Sequence, residues 1–224
     1  MTTSNRSNYD KQLNELQDEL MLLGNMVEKA IAKAVEALRT RDLISSEQVI
    51  AEDDRIDRER FEIEERCINL IAQQQPLAGD LRHIIAILHI AVELERMGDY
   101  AEGIGKISVM MGADAPLKPL VDIPRMAELS TSMLRNSLDA LVNRDVDAAA
   151  AVCAADDEVD LLYNQVYREL LTYMLQDHRT IQRATYLLWA AHDLERLADR
   201  ATNVAERVIY SVTGKMTDVR GGRY

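Results

Sequence analysis

The chain is short of the residues that interrupt helices. Its 224 residues include four prolines and nine glycines. Three of the prolines, Pro116, Pro119 and Pro124, crowd into a single stretch. Proline lacks an amide donor and breaks a helix interior, so the rest of the chain is free to form long helices. Aromatic residues make up only 4%, which disfavours sheet. Two cysteines, Cys67 and Cys153, stand without motif spacing. That excludes a disulfide framework and fits a reducing cytoplasm. No uncharged apolar run reaches about 18 residues, so no membrane span is expected. The first residues, MTTSNRSNYDKQL, lack the apolar segment of a secretory signal. Basic residues are also in deficit, 26 against 38 acids, for a net charge of -12. Neither half is basic: residues 1–112 hold 21 acids and 13 bases, residues 113–224 hold 17 and 13. Such a chain repels phosphate backbones, which excludes direct nucleic-acid binding.

What is abundant is apolar residue at helical spacing. Leu13, Leu16, Leu20, Leu23, Val27, Ile31, Ala34 and Leu38 recur every three or four positions and predict a helix over 9–40. Val49, Ile56, Ile63, Cys67 and Leu70 predict a second over 46–73. A third follows over 79–111. The pattern resumes after the prolines, over roughly 124–143, 146–177 and 179–213. The fold class is therefore all-α. It consists of a three-helix unit over 1–112, a proline-containing linker over 113–124, a second three-helix unit over 125–213, and a disordered tail over 214–224.

The second unit repeats the first. Shifted by 103, Arg41-Asp42 meets Arg144-Asp145, Val49 meets Val152, and Asp53, Asp54 and Asp57 meet Asp156, Asp157 and Asp160. Beyond Pro76 the shift becomes 100. There Glu93-Leu-Glu-Arg-Met-Gly-Asp99 meets Asp193-Leu-Glu-Arg-Leu-Ala-Asp199. Two unrelated amphipathic helices would share apolar positions, but not the same acids in the same order. The chain is read as an internal duplication.

The repeated acids are the chemically interesting feature. Glu95 and Asp99 continue the stripe of Leu81, Leu88 and Val92. Glu195 and Asp199 do the same after Ile181, Leu188 and His192. Carboxylates four apart on a helix repel each other and need a positive neighbour. Asp53 shares a stripe with Val49 and Ile56, and Asp57 lies one turn on. An antiparallel hairpin pivoting near residue 77 sets Asp57 level with Glu95 and Asp99. The second hairpin sets Asp160 level with Glu195 and Asp199. Clustered carboxylates suit oxygen-loving ions such as Mg, Mn, Ca or iron. The competing reading is an ion-pair network with Arg55, Arg58, Arg96 and Arg196. His192 is either a further ligand beside Glu195 or a polar edge residue.

Other chemistry is scarce. There is no Gly-rich phosphate loop, no GxSxG and no HExxH. Di-iron carboxylate bundles use Glu-x-x-His on two helices. Here His192-x-x-Glu195 is reversed and single, so a catalytic oxidase is not expected.

The doubled Glu-Arg-x-x-Asp motif, Asp80-Leu-Arg82, the pairs Asp54/Asp57 and Asp157/Asp160, and Pro116-Leu-Lys-Pro-Leu-Val-Asp-Ile-Pro124 resemble the PhoU family over nearly all of residues 10–212. The resemblance implies two tandem three-helix bundles and a cytoplasmic, non-enzymatic regulator of phosphate uptake. That regulator restrains the phosphate-starvation response by linking the ATPase subunit of the Pst phosphate transporter to the PhoR sensor kinase. Homodimers are implied, with membrane contact only through these partners. Some members bind metal ions or iron clusters through Glu/Asp-x-x-x-Asp motifs. The implied ligands are Glu95, Asp99, Glu195 and Asp199, with Asp54, Asp57, Asp157 and Asp160, for a divalent or trivalent ion (Mg, Mn, Fe or Zn). One departure stands out: the asparagine common a turn after the motif is present as Asn203, but Gly103 takes its place in the first half. A carboxylate-cluster enzyme and a metal-free helical scaffold are the alternatives.

Overall fold

A computed structural model of the chain describes residues 3–113 and 116–215, with side chains from residue 7 onward. Six helices follow one another: α1 (Thr3–Thr40), α2 (Leu43–Gln74), α3 (Gly79–Met111), α4 (Asp122–Asn143), α5 (Val146–Gln176) and α6 (Ile181–Thr213). A single 3-10 turn, His178–Thr180, leads into α6. Helices α1, α2 and α3 pack as one bundle and α4, α5 and α6 as another, with α3 against α6 and α1 against α4.

The width of each buried stripe reveals which helices are central. Along α2 the buried residues fall in one narrow row, Val49, Ile56, Ile63, Cys67 and Leu70. Helix α3 instead buries adjacent pairs, such as Ile90-Ala91, Met97-Gly98 and Ile104-Gly105. Helix α6 does likewise with Ala190-Ala191, Leu197-Ala198 and Val204-Ala205. A one-sided stripe marks an outer helix, and a broad one marks a helix covered from several sides. Contacts across the α3–α6 seam run in opposite directions. The Glu93 carboxylate accepts from Asn203 at 3.1 Å and faces Arg200 at 3.3 Å, while Gly103 lies beside Asp193. Positions 93 and 203 thus meet as 193 and 103 do, so the two units are related by an approximate twofold axis.

The duplication extends to the turns. Arg41 and Arg144 both take left-handed backbone, with φ of 62° and 54°. The aspartate after each caps the next helix: Asp42 accepts from the Ser45 amide and Asp145 from the Ala148 amide. A short side-chain acceptor at this position satisfies one of the otherwise unpaired amides of the first turn. Buried hydroxyls add cross-links, Ser46 to Ser108 at 2.8 Å between α2 and α3 and Ser130 to the Leu194 carbonyl at 3.1 Å between α4 and α6. Ahead of α4, the nearly buried Lys118 is paired with Glu169 of α5.

Three boundaries differ from the sequence reading. Helix α1 starts at Thr3 rather than residue 9, because its polar first turns carry no apolar stripe to announce them. The linker, expected to extend to 124, ends where α4 begins at Asp122. Pro124 is accommodated in the first turn, where a missing N–H breaks no helical bond. Of the expected tail, Gly214 closes α6 by donating to the Tyr210 carbonyl at 2.8 Å. Residues 216–224 lie outside the described residues.

Leu194 is fully buried at the centre of α6. Leu194→Ala should lower stability by about 2–5 kcal/mol, the range for a buried leucine truncated to alanine, as measured by denaturant unfolding.

Candidate metal centre

Helix α2 turns its Val49–Ile56 stripe toward α3, and Asp53 rides on that stripe. A Cβ placed on Gly98 of α3 would lie 3.3 Å from the Asp53 carboxylate, so the two backbones approach closely here. Oxygens of Asp53, Asp57 and Asp99 lie within 4.8 Å of one another. Burial pushes the Asp53 carboxyl up to about 7, reinforced by Glu102, Asp57 and Asp99 and relieved only by Lys106. Asp99 is raised by burial and then by Asp57 and Glu102. Glu95 is raised by burial and Asp99, and is partly offset by Arg60, whose guanidinium stands 3.6 Å away. Three carboxylates are thus held together with too little positive charge between them. An oxygen-only donor set of this kind fits a hard cation.

The second half is built from the matching residues, with different partners. Glu195 is pushed up to about 7 by burial, then by Asp199, Asp160 and Asp156, with Arg196 opposing. Its Oε2 is buried without a hydrogen bond. His192 Nδ1 stands 3.4 Å from that oxygen, and its ring lies 6.0 Å from that of Tyr163. Arg196 donates to Asp199 at 2.9 Å, which already supplies a cation inside the protein. Among the described residues only the first half closes to three ligand atoms.

The sequence reading placed eight acids at these sites, and the structure divides them. Asp57 and Asp99 come together, with Glu95 alongside and bound toward Arg60. Asp160, Glu195 and Asp199 share one field. Asp54 is not among the three acids whose oxygens converge, and Asp54 and Asp157 each stand a helical step of about 100° past Asp53 and Asp156, the half-buried members of the two pairs. The inward places belong to their neighbours Asp53 and Asp156. The periodicity carried that signal, since Asp53 follows Val49 by four and precedes Ile56 by three. The ion-pair reading also holds in part. Arg196 does take Asp199, but Arg96 pairs with Glu93 and Arg58 turns to the Asp54 carbonyl. Arg60, which the sequence did not single out, is the cation at Glu95.

The Gly103 departure has a local cause. Across the seam Glu93 is satisfied by Arg200 and Asn203, while its mate Asp193 faces Gly103. A Cβ on Gly103 would stand 3.0 Å from Asp193 Oδ2, so a side chain here requires that carboxylate to shift by a few tenths of an ångström. Burial alone pushes Asp193 up to about 7.

Residues 20–108 and 123–208 each match the PhoU domain. Over 96% of this chain and 94% of the relative, the sequence is 40% identical to a phosphate-specific transport system accessory protein PhoU homolog of Caulobacter vibrioides. It is 43% identical to the homolog of the same name from Aquifex aeolicus, over 92% of this chain and 93% of that one. The crystal structure of PhoU from Pseudomonas aeruginosa superposes with a TM-score of 0.88 at 35% identity, covering 92% of this chain and all of that one. The phosphate transport system regulatory protein PhoU from Streptococcus pneumoniae gives 0.87 at 31% identity, covering 94% and 99%.

Native Asp53 holds its proton more tightly than the unfolded chain, whose aspartate titrates near 4. The metal-free protein should therefore lose stability as pH rises from about 4 to about 7 and level off above. Asp53→Asn should remove this penalty and stabilise the metal-free chain at pH 8 by on the order of 1 kcal/mol, discounted for partial solvent screening. Thermal unfolding of both proteins in chelator across that pH range checks it.

Proposed function

The chain belongs to the PhoU family, and from that membership we propose that it is an accessory protein of a phosphate-specific transport system and a negative regulator of the phosphate-starvation response. The doubled domain match, over residues 20–108 and 123–208, is the observation that carries this reading. We place it in the cytoplasm, as an adaptor between the transporter's ATPase subunit and the PhoR sensor kinase, and as a homodimer. No helix among the described residues is long and apolar enough to cross a membrane. The lack of a nucleophile paired with a base in the motifs speaks for regulation over catalysis.

The metal reading rests on the three carboxylates of the first half. Asp53, Asp57 and Asp99 would hold the ion there, with Glu95 adjoining. In the second half Asp156, Asp160, Glu195 and Asp199 would do so once Arg196 releases Asp199, with His192 at hand. A bound ion supplies positive charge between α2 and α3 and nothing else. The residues do the mechanical work: carboxylates from two helices drawn to one point fix the register of the hairpin. Whichever shape of the bundle binds the ion better is then the more populated one, and a partner that distinguishes the two shapes reads the difference. The first half is all oxygen, whereas the second offers an imidazole and carries its own guanidinium. The two halves are therefore expected to differ in affinity.

The double variant Asp99→Ala, Asp199→Ala should lose bound metal, measured by elemental analysis of freshly purified protein, and should release a phosphate-starvation reporter from repression. Asp54→Asn should do neither. Metal content unchanged in the double variant removes the metal assignment. Failure of the wild-type chain to co-purify with the transporter ATPase or the kinase removes the adaptor assignment independently.

A further inference from the structure

Each half of the repeat carries one arginine inside its acid motif, and the two arginines go to different partners. Arg96 and Arg196 hold the same place, three residues before Asp99 and Asp199. Arg196 turns forward along α6 and donates to Asp199 at 2.9 Å. Arg96 turns back along α3 to Glu93, at 3.5 Å. Among the charges around Asp99 it gives the least relief, after Lys106.

The difference has a cause one turn upstream. Position 93 is a glutamate and its mate at 193 an aspartate, one methylene shorter. Side chains three apart on a helix are neighbours, so each acid is placed to compete for its arginine. Glu93 is fixed from across the seam by Arg200 at 3.3 Å and Asn203 at 3.1 Å, and it holds Arg96 as well. Asp193 faces Gly103 across the seam, and Arg196 goes past it to Asp199.

Arg196 also has a second seat. Tyr100 of α3 faces its guanidinium, and the Tyr100 hydroxyl accepts from Arg200 at 3.4 Å. Arg196 can therefore leave Asp199 and keep a hydrogen-bond partner. Beside it, Glu195 Oε2 is buried without a hydrogen bond, an acceptor that the guanidinium does not use. An ion entering there meets one free acceptor and one that is already taken.

We propose that Arg196 is a tethered counter-ion that holds the second acid group closed, while Glu93 keeps the first group open by holding Arg96 away, so that metal fills the two halves in order, the first before the second. This rests on the metal reading above and gives it a regulation: the concentration of the ion sets whether one hairpin or both are fixed. The second ion has to displace a guanidinium and the first does not. The displaced guanidinium moves toward Tyr100, on the helix that bears Asp99.

The test titrates the full chain, stripped of metal, with Mn²⁺ alone and follows the free ion by electron paramagnetic resonance. The wild type should show two classes of site, the tighter lost in Asp99→Asn and the weaker in Asp199→Asn. Arg196→Gln should tighten the weaker class about fivefold, the worth of one partly exposed charge-assisted pair. Arg196→Lys, which returns the charge, should return the weak binding. Arg96→Gln should leave the tighter class within about twofold, because Arg96 does not compete there. Glu93→Asp, which copies the second half, should weaken the tighter class severalfold, and adding Arg96→Gln should restore it. Should Glu93→Asp fail to fold, the contrast between Arg96→Gln and Arg196→Gln decides. A weaker class that Arg196→Gln leaves unchanged, or that the glutamine and lysine variants tighten equally, overturns the proposal while the metal reading stands. So does a tighter class that is lost in Asp199→Asn. Failure of the wild type and every variant to take up Mn²⁺ overturns both.

Discussion

The antiparallel packing of α3 against α6 is the constraint from which the rest of the molecule follows. Both helices are covered from several sides, and each also forms one wall of the hairpin that bears the acids. Fixing α3 against α6 therefore fixes where α2 presents Asp53 and Asp57 and where α5 presents Asp156 and Asp160. The hydrophobic effect supplies the driving force, and it specifies a face, not a partner. Register comes from the few polar contacts that cross the seam or join neighbouring helices: Glu93 with Arg200 and Asn203, Ser46 with Ser108, and Ser130 with the Leu194 carbonyl.

The acid cluster is costly on these terms. Carboxylates drawn from water toward one another raise their own proton affinity, and the protein offsets this differently in its two halves. In the second half Arg196 of the same helix turns back onto Asp199. In the first half Arg96 pairs with Glu93 at 3.5 Å, Arg60 is shared between Glu64 at 2.8 Å and Glu95 at 3.6 Å, and Lys106 is the cation that relieves Asp53. The charge at Asp53, Asp57 and Asp99 is therefore only partly offset from within the chain. The same motif thus yields two electrostatic environments, because the side chains around it have diverged.

Much of this was legible in the sequence. Six helices, their pairing into two units and both Arg-Asp turns follow from periodicity and from the repeat, since long stripes of one period leave little choice of fold. The acid cluster was legible in part: Asp57 and Asp99 converge as the hairpin count expected, with Asp53 beside them. Its height along the hairpin came from counting back from the Pro76 turn, but the choice of Asp54 over Asp53 followed a motif where the stripe of Val49 and Ile56 pointed to the neighbour. A helix moves about 100° per residue, so the neighbouring position faces a different direction. What could not be read was how the units sit on each other. The exchange of roles between positions 93 and 203 is invisible without the seam, and so is the close approach of Asp193 to Gly103.

That exchange bears on how such a molecule can change over evolutionary time. In a true symmetric dimer every substitution appears twice, once on each side of the axis, and a change that suits one environment is forced on the other. Joining the two copies in a single chain lifts that obligation. Asp193 beside Gly103 and Glu93 beside Asn203 occupy equivalent places across the axis, yet one carboxylate is satisfied by Arg200 and Asn203 and the other, half-buried, faces a glycine. Such a fused pair keeps the architecture of a dimer while each half is free to specialise.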